Sequence, residues 1–458
     1  MALPQPSTSP PPRGMHPERP RAVVIGGGIA GLAACSALAP HAASIILIEP
    51  DGLPDGTTYR RRIPQAPHVH ALLDSGRQAL EQLMPGIGAA LQRAGSLPLK
   101  VRSQWRTHDG HEWCTPEDTG PMVLSQSRPL LEQALRQRVR RIPHLTLMSG
   151  RVRGLVTQTG EDPHSARITG VHVQDPAQPP SAPDRPVPAD IVIDASGRAG
   201  DSLKWLAAAS GRLPPEDTRT PDIRYCSAFF DRTAQDGSTA LSAWLRPAQA
   251  PGTRSLVMAP VEHNRWIITL TGRFGAQMPR DEQSFRELFE ATAGAELSAR
   301  LADAPMVSRL RGFAIKTVRF RRFDHIAEDL PTGYFPIGDT IATFNPLFGQ
   351  GMSVATLQAL SLHNTLTRQP DLAMAQSAYL QDACRTAGWA WKIGGAVDRA
   401  YPQMRQQPDP ECDHLAERLR LAFSASVMRP AMRGQIDRVL HLLDPPDKLD
   451  VLCSELAE

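Results

Sequence analysis

The segment VVIGGGIAGLAACSAL, residues 23–38, constrains this chain more than any other. An apolar run at 21–26 reads as a buried strand, and Gly26, Gly28 and Gly31 follow with the spacing of a mononucleotide-binding turn. In such a turn the first glycine makes a tight bend, the second lets the backbone approach a pyrophosphate, and the third lets helix and sheet pack closely. The small residues of 29–39 suit a helix held against a sheet, and SIILIE at 44–49 reads as a second buried parallel strand. The unit is therefore β-α-β, with amide hydrogens at the helix start directed at an anion. Glu49, 18 residues beyond Gly31, stands at the end of the second strand, where it can accept hydrogen bonds from a ribose diol. A carboxylate there repels a 2′-phosphate, so the site prefers FAD or NAD to NADP.

A second glycine-bearing segment, YFPIGDTIATFNPLFGQGMSVATLQAL, spans 334–360. Tyr334 to Ile337 reads as a strand followed by Gly338 and Asp339, and the segment resembles the ribityl-binding strand and flavin-facing helix of flavoprotein monooxygenases, which implies that the Asp339 carboxylate binds ribityl hydroxyls. Pro346, Gly349, Gln350, Gly351 and Met352 then lead into a helix beginning near Met352. A helix start aimed at the pyrimidine edge of a flavin stabilises negative charge on the reduced ring by about 0.3 to 1 kcal/mol. Pro346 and Gly349 would admit the flat ring without side-chain clashes.

At 458 residues the chain exceeds one simple core and suits two interleaved units with a helical tail. A net charge of +3 with 21% charged residues lacks the footprint of a nucleic-acid binder. The basic runs Arg60 to Arg62, Arg136 to Arg141 and Arg319 to Arg322 read as solvated faces. Cysteines 35, 114, 226, 384, 412 and 453 form no CxxC pair, which argues against a zinc site or a disulfide framework and suits a cytoplasmic protein. Residues 1–20 are proline-rich, lack the apolar centre of a signal peptide, and read as a disordered tail. No run approaches the roughly 18 apolar residues of a membrane span, so no integral membrane segment is expected.

Between the motifs, 76–84 reads as a helix carrying Ala79, Leu80, Leu83 and Met84 on one face, and Asp109-Gly110 marks a hairpin within 101–114. Ser127 caps a helix through 141, with Leu131, Leu135 and Val139 on one side and the arginines on the other. Extended runs at 168–173 and 187–194 flank a proline-rich loop, 175–186. Strand-rich segments follow, including 223–232 and 255–272, then a helix at 281–292. The expected class is mixed α/β. A Rossmann-like FAD-binding domain takes 21–100, 124–212 and 325–370; an inserted antiparallel-sheet substrate domain takes 101–123 and 213–324; a helical region takes 371–458.

A third segment, DIVIDASGR at 190–198, lies between the two glycine motifs. With RIPQAPHVHALLDSGRQALEQLMPG (62–86) and SRPLLEQALRQRV (127–139), the chain resembles the FAD-dependent monooxygenase superfamily typified by para-hydroxybenzoate hydroxylase and squalene epoxidase. Within it the pattern is similar to a bacterial branch containing polyether epoxidases, over roughly residues 21 to 405. The resemblance implies FAD, with Arg128 at its pyrophosphate or ribityl region, Asp339 at its ribityl chain, and Pro346 to Met352 along the isoalloxazine. Asp194 occupies the place of the family's Asp-Gly segment, which in hydroxylases is linked to both FAD and NAD(P)H. Here Ala195 and Ser196 separate Asp194 from Gly197, so NADH or NADPH would act either directly or through a separate flavin reductase. His68 and His70 fall in a loop that the family brings near the flavin, and alternation puts both on one face of an extended segment, against a bland reading as loop packing.

The implied activity moves one oxygen atom from O2, through a flavin C4a-hydroperoxide, into a small apolar biosynthetic molecule by epoxidation or hydroxylation. Phe229, Phe230, Trp244, Met258 and Trp266 of the inserted sheet are pocket candidates, and core packing explains each about as well. A flavin-linked reductase of isoprenoid-type double bonds is one alternative. A flavin-dependent halogenase is another. Trp389-Ala390-Trp391-Lys392-Ile393 resembles the halogenase Trp-x-Trp-x-Ile signature, but it lies after the Gly-Asp segment, and no lysine precedes Lys100 to act as the active-site amine. A non-enzymatic binding module is disfavoured by the intact glycines, Glu49 and Asp339.

Overall fold

The computed structural model describes residues 19–454 apart from 109–112, 115, 119, 159–165, 180, 199, 234–241, 249 and 427–428. The expected tail over residues 1–18 and the Asp109-Gly110 turn lie outside the described residues.

Strand Arg21–Ile25 sits at the centre of a five-stranded parallel sheet, between Ser44–Ile48 and Ile191–Asp194, with Leu145–Met148 and Tyr334–Pro336 at the edges. Val23, Val24, Ile45, Ile191, Val192 and Ile193 are fully buried, which is why these strands read as continuous apolar runs. Helix Ile29–Leu38 packs here because its side chains are small and its Gly31 has none: a Cβ on Gly31 would lie 1.9 Å from the Gly26 carbonyl oxygen. Helix Gln350–Arg368 lies against that helix, and the long helix Leu372–Asp398 lies against it in turn.

The run 187–194, expected as one extended segment, is two strands in two sheets. Arg185–Pro188 joins Arg151–Gln158 and Arg167–Gln174 in an antiparallel sheet, whereas Ile191–Asp194 enters the parallel one. The changeover is anchored at Asp190, whose carboxylate accepts the Arg21 amide at 2.9 Å and its guanidinium at 3.0 and 3.1 Å.

A six-stranded sheet runs in the order Arg311–Ile315, Ile223–Asp231, Arg265–Arg273, Arg254–Val261, Ala243–Arg246, Trp105–Thr107. His263 and Asn264, at φ 62° and 55°, take left-handed conformations in the three-residue connection between Val261 and Arg265 of its longest hairpin. Strand alternation divides the side chains. Cys226, Ala228, Phe230, Met258, Trp266, Ile268 and Leu270 pack with Phe285 and Phe289 of helix Glu282–Ala293, which Asp281 caps. Tyr225, Ser227 and Thr269 face the other way, toward the parallel-sheet half. Helices Pro410–Ser426, Pro430–Leu440 and Lys448–Ser454 complete the described chain. Pro410 and Pro430 begin helices, where a missing N–H costs nothing. Among the described residues no helix is long and apolar enough to cross a membrane.

Candidate flavin site

At the glycine turn, Gly26 takes φ +100°, and a Cβ there would lie 2.5 Å from the Ala195 carbonyl oxygen. Gly28, which opens helix Ile29–Leu38, has no atom within 4 Å of where its Cβ would be. The first and third glycines are thus fixed by backbone contacts, and the second faces open space. Glu49 is buried at 7% exposure, accepts the Gly27 amide at 2.7 Å, and pairs with Arg60 at 3.2 Å. Arg60 also reaches Glu132 at 3.2 Å and donates to the Gly27 carbonyl at 2.9 Å.

Arg60 and Arg136, expected on solvated faces, are buried at 7% and 1% exposure. The reason is Glu132, which gathers Arg60, Arg128 and Arg136 within 2.9 to 3.5 Å. Buried guanidiniums are tolerated because they are paired. The i,i+4 spacing of Arg128, Glu132 and Arg136 is the signal in the sequence that points to this cluster. Three cations against the carboxylates of Glu49 and Glu132 leave positive charge beside the glycine turn, as a pyrophosphate requires.

One cavity of about 640 Å³ runs from Gly26, Gly28 and Glu49 past Arg60 and Arg128 to Gly349, Gln350, Gly351 and Met352. His68, His70, Gly338, Asp339 and Pro346 also line it. Asp339 opens onto the cavity although it lies deep in the protein, and burial raises its carboxyl pKa while Arg198 and Arg128 oppose that rise. Gln350 is 1% exposed, and neither its Oε1 nor its Nε2 has a partner among the described residues. The loop before it is held by Asn345, whose Oδ1 accepts the Leu347 amide at 3.1 Å and whose Nδ2 donates to both oxygens of Asp398 at 2.8 and 3.1 Å. Asp398 in turn pairs with Arg273 of the antiparallel sheet at 2.7 Å.

The two histidines differ. His70 Nδ1 donates to the His68 carbonyl at 2.8 Å, leaving its Nε2 as an acceptor, and burial with nearby Arg128 lowers its pKa to about 3. His68 Nδ1 lies 2.7 Å from Ser227 Oγ, and burial lowers its pKa to about 4. Both rings are neutral near pH 7.

Asp194, expected at the cofactor, is fully buried and accepts from Ser196 N at 3.1 Å, Ser196 Oγ at 2.6 Å and Tyr334 OH at 2.6 Å. It shapes the turn whose Ala195, Ser196, Gly197 and Arg198 line the cavity. Phe230, Trp244, Met258 and Trp266, expected as pocket residues, instead fill the core under helix Glu282–Ala293, and Phe229 packs beside Leu99 and Val261. From the six-stranded sheet, Tyr225, Thr269, Phe313, Ala314 and Ile315 line the cavity. On strands Ile223–Asp231 and Arg265–Arg273, Tyr225 and Thr269 take the phase opposite to Phe230 and Trp266. Trp391, of the halogenase-like run, sits in helix Leu372–Asp398 under the Arg219 guanidinium at 4.2 Å from its ring.

The residues fit FAD. An orphaned amide side chain at Gln350, a Cβ-free wall at Gly28, cations beside the turn and a carboxylate at Asp339 line one continuous trough. The fold is shared with flavin-dependent enzymes of known structure. It superposes on the flavin-dependent brominase Bmp2 with a TM-score of 0.66 at 13% identity, covering 95% of this chain and 98% of that one. PqsL, a probable FAD-dependent monooxygenase from Pseudomonas aeruginosa, gives 0.63 at 16% identity over 84% and 97%. In sequence the chain belongs to the same family as Protein Rv3254 of Mycobacterium tuberculosis, being 31% identical over 399 residues, 85% of this chain and 82% of that protein. No family model matches.

Proposed function

We propose that the chain is an FAD-dependent monooxygenase that places one oxygen atom of O2 into a small, largely apolar biosynthetic substrate by epoxidation or hydroxylation. The single observation that carries this is the continuity of the cavity, from the glycine turn and Glu49 to a helix start and onward to Tyr225, Thr269 and Phe313 of the sheet. A long cofactor and a substrate at its far end both find walls there. FAD bound in that trough supplies the redox chemistry with oxygen.

The chain's own residues hold and shield. Gly28 leaves room for the pyrophosphate, and Arg60 and Arg128 supply its counter-charge. Glu49 accepts from the ribose and Asp339 from the ribityl chain. The start of helix Gln350–Arg368, which lines the cavity with Gln350, Gly351 and Met352, would offer amide hydrogens to the pyrimidine edge. Tyr225, Phe313 and Phe344 keep water from the reacting end. The substrate part of the chain, 101–123 with 213–324, provides the sheet, and 21–100, 124–212 and 325–370 provide the cofactor trough. The six free cysteines suit a cytoplasmic setting.

Halogenation is supported less well, because no lysine lines the cavity among the described residues. Electrons come from NADH or NADPH, directly or through a partner reductase. The test is anaerobic reduction of the purified FAD-loaded protein with NADH, NADPH or an added reductase, followed by oxygen. Rapid reoxidation with oxygen-dependent product supports the reading. Protein that takes up no FAD sinks it, and turnover without oxygen transfers the case to a double-bond reductase.

A further inference from the structure

Two buried polar atoms on the sheet side of the cavity have no partner among the described residues: Nε2 of His68 and the hydroxyl of Tyr225. Both residues line the cavity at 5% and 7% exposure, with ring centroids 5.4 Å apart. Buried donors are nearly always paired, so two orphans side by side on one wall mark a seat for a polar ligand atom.

The hydrogen bonds behind His68 decide which atom it presents. Thr269 Oγ1 accepts the Val69 amide at 3.0 Å and lies 2.7 Å from Ser227 Oγ, which lies 2.7 Å from His68 Nδ1. Among the described residues Ser227 is the one acceptor for the Thr269 hydroxyl hydrogen, so the relay that leaves no hydroxyl hydrogen unpaired runs from Thr269 to Ser227 and from Ser227 to His68 Nδ1. With Nδ1 accepting, the neutral ring carries its hydrogen on Nε2. His68 therefore carries an unpartnered donor at the cavity wall, and Tyr225 a second one beside it.

The charges nearby are already opposed. Arg273 is paired with Asp398 at 2.7 Å, and Arg198 lies close enough to Asp339 for the two to shift each other's titration. Phe313, Ile315 and Phe344 make the surrounding wall apolar.

We propose that His68 Nε2–H and the Tyr225 hydroxyl form a two-donor seat for an uncharged carbonyl oxygen on an otherwise apolar substrate. The seat would orient the skeleton by its oxygen and so select which carbon meets the cofactor. This rests on reading the cavity as cofactor and substrate site together.

The test is calorimetric titration of the full chain, with and without added FAD, using three matched probes: 1-tetralone, tetralin and the 1,2,3,4-tetrahydro-1-naphthoate anion. The ketone binds about five- to tenfold more tightly than the other two, the effect of hydrogen bonds gained by one probe alone. Tyr225→Phe and His68→Phe each bring the ketone-to-tetralin ratio toward one. Ser227→Ala, which touches His68 and not the probe, lowers the same ratio by freeing the tautomer. A purely structural role would weaken both probes equally and leave the ratio intact, which overturns the seat. Equal binding of ketone and hydrocarbon, or no binding of the ketone, overturns it too. Tighter binding of the carboxylate overturns the uncharged-oxygen assignment. Ketone selectivity in protein that takes up no FAD keeps the seat and removes the monooxygenase reading.

Discussion

Glu262, beside the hairpin turn of the antiparallel sheet, accepts the Ser127 amide at 2.9 Å on one oxygen and the Ser127 hydroxyl on the other. Ser127 Oγ in turn accepts the Leu130 amide at 3.3 Å, capping helix Arg128–Val139. A carboxylate at the positive end of that helix joins the sheet to the element that begins with Arg128 at the cavity. Glu262→Ala leaves buried donors unpaired and lowers stability by about 1–3 kcal/mol. Urea denaturation checks this, and FAD affinity falls in the same variant because Arg128 loses its fixed origin. An unchanged midpoint would show that the contact does not hold the two parts together.

The glycine turn gives a contrast between fold and binding. Gly31→Ala drives a Cβ into the Gly26 carbonyl at 1.9 Å, and Gly26→Ala puts one at φ +100° against Ala195, so both variants lose the soluble folded protein. Gly28→Ala meets nothing and keeps its thermal midpoint, yet it weakens FAD binding by filling the space for the pyrophosphate. Thermal melts alongside flavin titration separate these outcomes. Normal flavin affinity in Gly28→Ala would place the pyrophosphate elsewhere.

Asp398 ties the loop at the helix start to the sheet through Asn345 and Arg273. Removing it strands a guanidinium that is 3% exposed, so Asp398→Ala costs about 3–5 kcal/mol. The flavin spectrum of any folded fraction shifts as well, since Asn345 no longer positions the turn at 346–348. Denaturation and visible absorbance of the same preparation test the two effects together.

Acid destabilises the fold below neutrality. Burial lowers the pKa of both His68 and His441 to about 4, whereas the unfolded chain takes up those protons near the ordinary value of 6.5. Between the two values the unfolded state binds more protons, so stability rises with pH. It is fully present above about pH 6.5 and is lost toward the folded values, each histidine contributing up to about 1.4 kcal/mol per pH unit. Protonation of His441 also removes the acceptor of the Asp74 amide at 3.3 Å. Denaturation at pH 7, 6 and 5 measures the slope, and His441→Leu reduces it if the variant folds. A slope that His441→Leu leaves unchanged would assign the acid sensitivity to other groups.

What the sequence by itself determined is local: the strand, glycine turn and helix at 21–38, the strand ending at Glu49, and the helix entered through Pro346 to Met352. Each is contiguous, and its geometry follows from steric freedom at glycine, fixed φ at proline and the pleat of a strand. Residues 223–232 and 255–272 also read as strand-rich, and the successive side chains of a strand point to opposite faces. Only the tertiary structure decided which face meets the cavity. That choice depends on where helix Glu282–Ala293 docks, and it sends Phe230 and Trp266 into the core while turning Tyr225 and Thr269 inward. The same holds for charge. Arg60 looks like a surface residue until folding brings Glu132, 72 positions away, against it, because burying a cation is favourable only when a carboxylate arrives with it, whereas Arg136 meets the same carboxylate at i,i+4 spacing.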